Sequence, residues 1–90
     1  MSNVPKRNIQ IPVVITHDTN YCDIFIPDLH MTIHGIDYID ALANAHLHAS
    51  AIYFYNIERN VKLDLKTTYA DAERMCKRNG SFATFISLTA

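Results

Sequence analysis

The chain has 90 residues, a net charge of -1 and a mean hydropathy of -0.02, with 49% hydrophobic and 19% charged residues. That length allows one core, and the share of apolar and aromatic residues excludes a disordered chain. A near-neutral charge excludes the basic field that drives nucleic-acid binding by counterion release, so no direct DNA binding is expected from this chain.

Residues 1–8, MSNVPKRN, read as a loose N-terminal arm ahead of a single domain over 9–90, with Lys6 and Arg7 as solvated charge. The arm has no apolar core of the signal-peptide kind, and no apolar run in the chain reaches the length of a membrane span, so a cytoplasmic protein without membrane contact is expected. From Ile9 onward Ile9, Ile11, Val13 and Ile15 alternate with Gln10, Pro12 and Thr16, the period of a strand with one buried face. Pro12 has no N–H for a ladder, so the strand is either bulged there or unpaired on that side. His17-Asp18-Thr19-Asn20 is a turn cluster, and Tyr21 to Ile26 resumes extended structure, which makes an antiparallel hairpin. Pro27-Asp28 ends the second strand, and Met31-Thr32-Ile33-His34 has the composition of a third. Gly35 then supplies a turn in which φ > 0 is open to it.

A long helix follows. Asp37 is an N-cap, Asp40 completes a capping-box-like D-x-x-D, and Ile36 is placed to staple onto Ala41. The helix runs to about residue 57 or 59, with Tyr38, Leu42, Ala45, Ala49, Ile52 and Tyr53 on the side expected to face the sheet. Of its aromatic run, Tyr53 is expected in the core, Phe54 at the rim and Tyr55 on the surface. Asn60 opens a connection in which Leu63 and Leu65 are either extended or tucked under the helix end. Thr67 or Thr68 caps a second, shorter helix over 69–78, closed by Lys77-Arg78 and Asn79-Gly80. The last segment, Ser81 to Leu88, is a strand by its aromatic and β-branched content.

The expected fold is therefore α+β, in the order β-β-β-α-(α)-β. Its mixed four-stranded sheet carries the long helix on one face. Several strands have apolar residues on both sides: Phe85 opposes Phe82 and Ile86, and Cys22 and Ile24 oppose Phe25. A sheet covered on one face does not need that pattern, so the far face is read as a self-association or partner surface in preference to one covered by the second helix. Ile24, Phe85 and Tyr55 are the expected interface residues, and a homo-oligomer, dimer or tetramer, is the expected state.

The chemistry-bearing residues form no recognisable catalytic or metal-binding pattern. The two cysteines, Cys22 and Cys76, are far apart and read as free thiols. Of the five histidines, His46 and His48 sit two apart on a helix and so diverge by about 160°. His17, His30 and His34 lie at turns and strand ends. Asp23 is the one mid-strand carboxylate, too few for the two-metal cage of ribonuclease H-like chemistry. Asp28 with His30 or His34 is the remaining acid–base pairing. Ser50, Ser81 and Ser87 lack a nucleophile-elbow context, and two glycines make no phosphate loop. No catalytic, metal or cofactor-binding residue is expected, and the protein is not read as an enzyme.

Residues 26–45, IPDLHMTIHGIDYIDALANA, contain Pro27, Asp28, Leu29, Gly35, Ala41, Leu42, Asn44 and Ala45. In that register the segment resembles the strand-to-helix core of HicB-like antitoxins, which is written around a Pro-Asp-Leu run, a Gly and an Ala-Leu-x-Asn-Ala helix. His30-Met31 replaces that family's Pro-Gly-Cys turn, and Asp37 and Asp40 stand where Thr and Glu are usual. The resemblance covers about residues 11–49, with 82–88 matching the last core strand more loosely. It implies a partial ribonuclease H-like fold, oligomerisation, and the binding and masking of a HicA-type messenger-RNA-cleaving toxin without catalysis. The family's C-terminal DNA-binding segment has no counterpart in 9–90. The alternative is a stand-alone oligomerising structural or regulatory module with no toxin partner.

Overall fold

The computed structural model describes residues 8–76 and 80–89. The arm expected over 1–8, apart from Asn8, and residues Lys77, Arg78 and Asn79 lie outside them, and the second helix, expected over 69–78, already ends at Arg74 with Met75 as its C-cap. The order is β1 (Asn8–Asp18), β2 (Tyr21–Ile26), a 3-10 turn (Pro27–Leu29), β3 (Met31–Gly35), α1 (Tyr38–Glu58), α2 (Tyr69–Arg74) and β4 (Ser81–Thr89). The strands form one sheet in the order β3-β2-β1-β4.

Every pairing in this sheet is antiparallel, which corrects the expected mixed sheet. Two traverses explain it. α1 carries the chain back from the Gly35 end of β3 to the opposite end of the sheet, where Thr67 N–H donates to Asp28 Oδ1 at 3.0 Å. The following segment with α2 returns it to the β1–β2 turn, where His17 N–H donates to Gly80 C=O at 3.1 Å. β4 therefore starts beside the end of β1 and runs against it. A β4 entered directly from α1 would have been parallel to β1.

Pro12 sits in the middle of β1 without disrupting it. Opposite Phe85 it is in register with β4, whereas the β2 ladder begins only at Val14. Its missing N–H faces the side that β2 has not yet reached, the unpaired alternative foreseen from the sequence. Thr19 and Asn20 form a two-residue turn between the Asp18↔Tyr21 pair.

Side chains alternate across the strands, so Ile11, Val13, Ile15, Cys22, Ile24, Ile26, Ile33, Ile86 and Leu88 fall on one face. α1 covers that face with Ala41, Ala45 and Ala49, all fully buried. Small residues at every fourth position let the helix backbone lie close to the sheet. Gly35 belongs to the same device: a Cβ there would sit 2.5 Å from the Ala41 backbone N and 2.8 Å from its Cβ. Gly35 is not among the residues with φ > 0, so close approach, and not the turn conformation expected, is what requires glycine.

The start of α1 follows the expected capping. Asp40 N–H donates to Asp37 Oδ1 at 2.8 Å, and Asp40 Oδ2 accepts from Ile36 N–H at 3.0 Å. Ile36 itself is exposed and does not staple onto Ala41. At the other end Asn60, in the left-handed region at φ 60, makes a Schellman closure: Asn60 N–H donates to Ile57 C=O and Val61 N–H to Asn56 C=O. Residues 61–68 are irregular, with Leu65 packed against the core. α2 opens with a complete capping box, Thr68 and Asp71 each accepting from the other's backbone N–H.

α2 packs on β1 and β4 from the far face, where Pro12, Val14 and Ala72 are buried. Half of the face expected to be open is thus covered. The β2–β3 half stays uncovered, with Phe25, Thr32 and His34 exposed.

Candidate functional site

Two surface features carry what chemistry the fold offers. The first is a polar row on the far face, generated by strand register alone: His34 is opposite Asp23, Asp23 opposite Thr16, and Thr16 opposite Ser81. Within it His34 Nδ1–H donates to Asp23 Oδ1 at 2.7 Å, and the Thr16 and Ser81 hydroxyls are hydrogen-bonded at 3.0 Å. The row therefore resolves into two separate pairs. His34 is 75% exposed at its side chain and Asp23 33%, so their contact is open to water and contributes little to stability. Ser81 bonds to a threonine hydroxyl and not to a base. Among the described residues no three His, Cys, Asp or Glu side chains are grouped as a metal-binding set.

The acid–base pairing suggested by sequence is assembled differently. Asp28 accepts from the Thr67 backbone, His30 holds the left-handed position after the 3-10 turn at φ 51, and His34 turns to Asp23. His46 and His48 diverge on α1 as expected. His46 reaches the free edge of β4, donating from Nδ1 to Ser87 C=O at 2.7 Å, with Nε2 3.2 Å from Thr89 Oγ1. A carbonyl only accepts, so Nδ1 carries a proton there.

The second feature is apolar. α1 buries its alanines and turns larger residues outward: Ile39, Leu47 and Tyr55 are 78%, 64% and 56% exposed. Ala43 and Ala51 lie between them at the same four-residue spacing; each such step turns about 40° around the helix, so Leu47 lies opposite the Ala41-Ala45-Ala49 stripe while Ile39 and Tyr55 lie on its two flanks. Where α1 overhangs the end of β4, the side chains of Leu47, Ala51, Phe54 and Tyr55 line an open groove of about 480 Å³. Glu58, Ser50 and Thr89 also line it, and Thr89 N–H donates to Ser50 Oγ at 3.1 Å.

The three interface residues expected from sequence are scattered. Tyr55 is exposed on the outer stripe; its hydroxyl accepts from Arg59 Nη1 at 2.7 Å, and the guanidinium lies 5.4 Å from its ring. Phe85 is 48% exposed on the far face and stacks on Tyr69 of α2 at 5.4 Å, with 18° between the rings. Ile24 is a correction: it is fully buried under α1, because β2 alternation puts Cys22, Ile24 and Ile26 together on the helix-covered face and Phe25 on the other. Ile39 and Leu47 were not foreseen. The signal was present as two apolar stripes of equal spacing on one helix. Which of them lies against the sheet is decided by the through-space contact of Gly35 with Ala41, which local pattern does not show.

Two titratable groups are displaced. Burial, and then the nearby Asp23 and Asp37 charges, raise the Cys22 thiol above its ordinary range. The Thr68 backbone N–H, followed by its hydroxyl, holds the Asp71 carboxyl below the usual carboxylate range. Neither belongs to the polar row or to the outer stripe, and both shifts arise from structural roles. No helix among the described residues is long and apolar enough to cross a membrane.

Comparison of the chain with known protein families, with curated proteins and with solved structures finds no match.

Proposed function

We propose that this chain is a cytoplasmic protein-binding module of the HicB-like antitoxin type, which occupies and masks a HicA-type messenger-RNA-cleaving toxin and performs no catalysis. The observation that carries the reading is the set of large apolar side chains that α1 exposes. A helix that only covers a sheet needs one apolar side, and the outer side of this one would ordinarily be polar. Ile39, Leu47 and Tyr55 instead place large apolar groups in water, the arrangement expected of a surface that a partner covers. The Pro27-Asp28-Leu29, Gly35 and Ala41-Leu42-x-Asn44-Ala45 resemblance supplies the kind of partner.

The test is co-expression with a HicA-type toxin encoded beside this chain, read as growth rescue and as co-purification. Rescue by the wild type and its loss in Leu47→Glu support the reading. A toxin that is neither bound nor silenced sinks it. Leu47 is largely exposed, so the substitution is expected to change stability by no more than about 0.5 kcal/mol, and a urea curve separates lost binding from lost folding. The second reading, a stand-alone oligomerising module, is favoured by one observation: β4 has no charged residue in its nine, although it is an edge strand.

A further inference from the structure

We propose that the free edge of β4 pairs with the β4 edge of a second copy of this chain, antiparallel about a two-fold axis at Phe85, to make a continuous eight-stranded sheet. The inference deepens the oligomerising part of the function proposed above and rests on it.

The free edge can be located residue by residue. His17 N–H donates to Gly80 C=O across the β1–β4 boundary, which makes that pair hydrogen-bonded. In an antiparallel ladder such pairs alternate with non-bonded ones. Phe82, Thr84, Ile86 and Leu88 therefore direct their backbone groups to β1, and Ser81, Ala83, Phe85, Ser87 and Thr89 direct theirs away. Pro12 agrees with this phase, because it faces Phe85 and has no N–H to give. So do three side-chain contacts on the outer edge: Tyr69 Oη to Ala83 C=O at 3.3 Å, His46 to Ser87 C=O, and Thr89 N–H to Ser50.

Those contacts leave the N–H groups of Ala83 and Ser87 and both backbone groups of Phe85 unpaired among the described residues. The Tyr69 and His46 side chains lie on the Ala83 and Ser87 carbonyls, so pairing there turns these two side chains off the edge and replaces their contacts with ladder bonds. Natural edges are blunted by Lys, Pro, bulges or shortness. β4, Ser81-Phe82-Ala83-Thr84-Phe85-Ile86-Ser87-Leu88-Thr89, contains no charge, Pro or Gly. The opposite edge is shorter: β3 has five residues, four fewer than β4.

A second copy is the occupant that fits both the edge and its surroundings. With Phe85 on the axis, Ala83 faces Ser87 of the second copy and Phe82 faces Leu88, with no unlike sizes forced together and no like charges opposed. Phe82 is 43% exposed on the α1 face. Pairing in this register brings it to the flank of the other copy's α1, beside the groove lined by Leu47, Ala51 and Phe54. Each copy thus offers an exposed aromatic at one end of β4 and an apolar groove at the other, and the two-fold axis joins them twice.

The test uses the full chain. Sedimentation of the wild type is expected to give a dimer, and Ser87→Pro, which removes an outward N–H and leaves the β1 ladder intact, is expected to give a folded monomer. In a Cys76→Ser background, Phe85→Cys places two thiols across the axis at a separation a disulfide can span, and oxidation is expected to yield a cross-linked species of doubled mass. Cross-linking decides the matter should Ser87→Pro not fold. A dimer that survives Ser87→Pro and does not cross-link through position 85 overturns the edge pairing while leaving self-association standing. A wild-type monomer at several hundred micromolar overturns both, and toxin rescue remains a separate readout.

Discussion

Gly35→Ala is the sharpest test of how α1 meets the sheet. The added Cβ would lie 2.5 Å from Ala41 N, 2.6 Å from its Cα and 2.8 Å from its Cβ. Carbon contacts settle near 3.5–4.0 Å, so relief requires α1 and β3 to part by about 1 Å, and two of the three opposing atoms are backbone that no rotamer change can move. Overpacking of this kind costs about 1–3 kcal/mol, and the upper half of that range applies here because the clash falls on a helix held by several buried alanines. For a domain of this size a loss of about 2–3 kcal/mol lowers the melting temperature by roughly 10–20 °C. Urea and thermal unfolding followed by far-ultraviolet circular dichroism measure it. The double substitution Gly35→Ala with Ala41→Gly separates the mechanism from a generic core defect. Removing the Ala41 Cβ leaves the two backbone contacts in place and adds about 1 kcal/mol of helix-propensity loss, so the double variant should be no more stable than the single one. A Gly35→Ala protein within about 0.5 kcal/mol of wild type would refute the close-approach argument.

Further outcomes follow from the same geometry. Native protein near pH 8 should yield one reactive thiol, Cys76, because Cys22 is fully buried with its thiol held above the ordinary range; equal labelling rates at the two cysteines would contradict that placement. Since the Cys22 value is raised in the folded state, its contribution to stability is complete below the unfolded thiol pKa and fades as pH rises past it, which alkaline unfolding curves of wild type and Cys22→Ala should show by converging. Asp71 has the opposite sign: its lowered value stabilises α2 above the ordinary carboxylate pKa, and the support is lost as pH falls through the folded-state value, seen by NMR as a carboxyl titrating below the usual range and moving back toward it in Thr68→Ala. Asn60→Ala should destabilise by about 1 kcal/mol, since alanine pays the left-handed penalty that asparagine largely avoids, while Asn60→Gly should be neutral or better; an equal loss in both variants would remove the Schellman closure as the cause.

Much of the fold is legible in local pattern. The alternation around Val13, the Pro27-Asp28 stop, the Asp37 cap and the Thr68 cap locate the elements because each depends on residues close in sequence. What local pattern does not contain is the path between α1 and β4. The second helix was visible, but its role as a return crossing over the far face was not, and that crossing makes β4 antiparallel. Gly35 was assigned to turn geometry because its true neighbour, Ala41, acts through space. Ile24 was placed at an interface because a two-sided apolar strand does not say which of its sides the helix takes; Tyr55 and Phe85 fell on exposed surface. The Asp23–His34 and Thr16–Ser81 pairs were missed for a similar reason, since cross-strand register follows from strand order, which the residues themselves do not spell out.

The two alanine-spaced stripes of α1 connect fold and function more closely than either surface patch does alone. Burying Ala41, Ala45 and Ala49 gives little apolar area per residue, so the helix is held by the close approach that Gly35 permits together with Leu42, Tyr53 and Phe54, which pack against the core beside them. The large residues that could have filled that interface, Ile39 and Leu47, are turned to water. Reversing the helix by half a turn would turn them toward the sheet, but their bulk would force the backbone away from Gly35. The observed orientation is therefore fixed by close backbone contact, with hydrophobic burial left incomplete on the outside. A second polypeptide laid on the outer stripe, or a second β4 with its Phe82 against the flank of α1, would supply the burial that the isolated chain lacks.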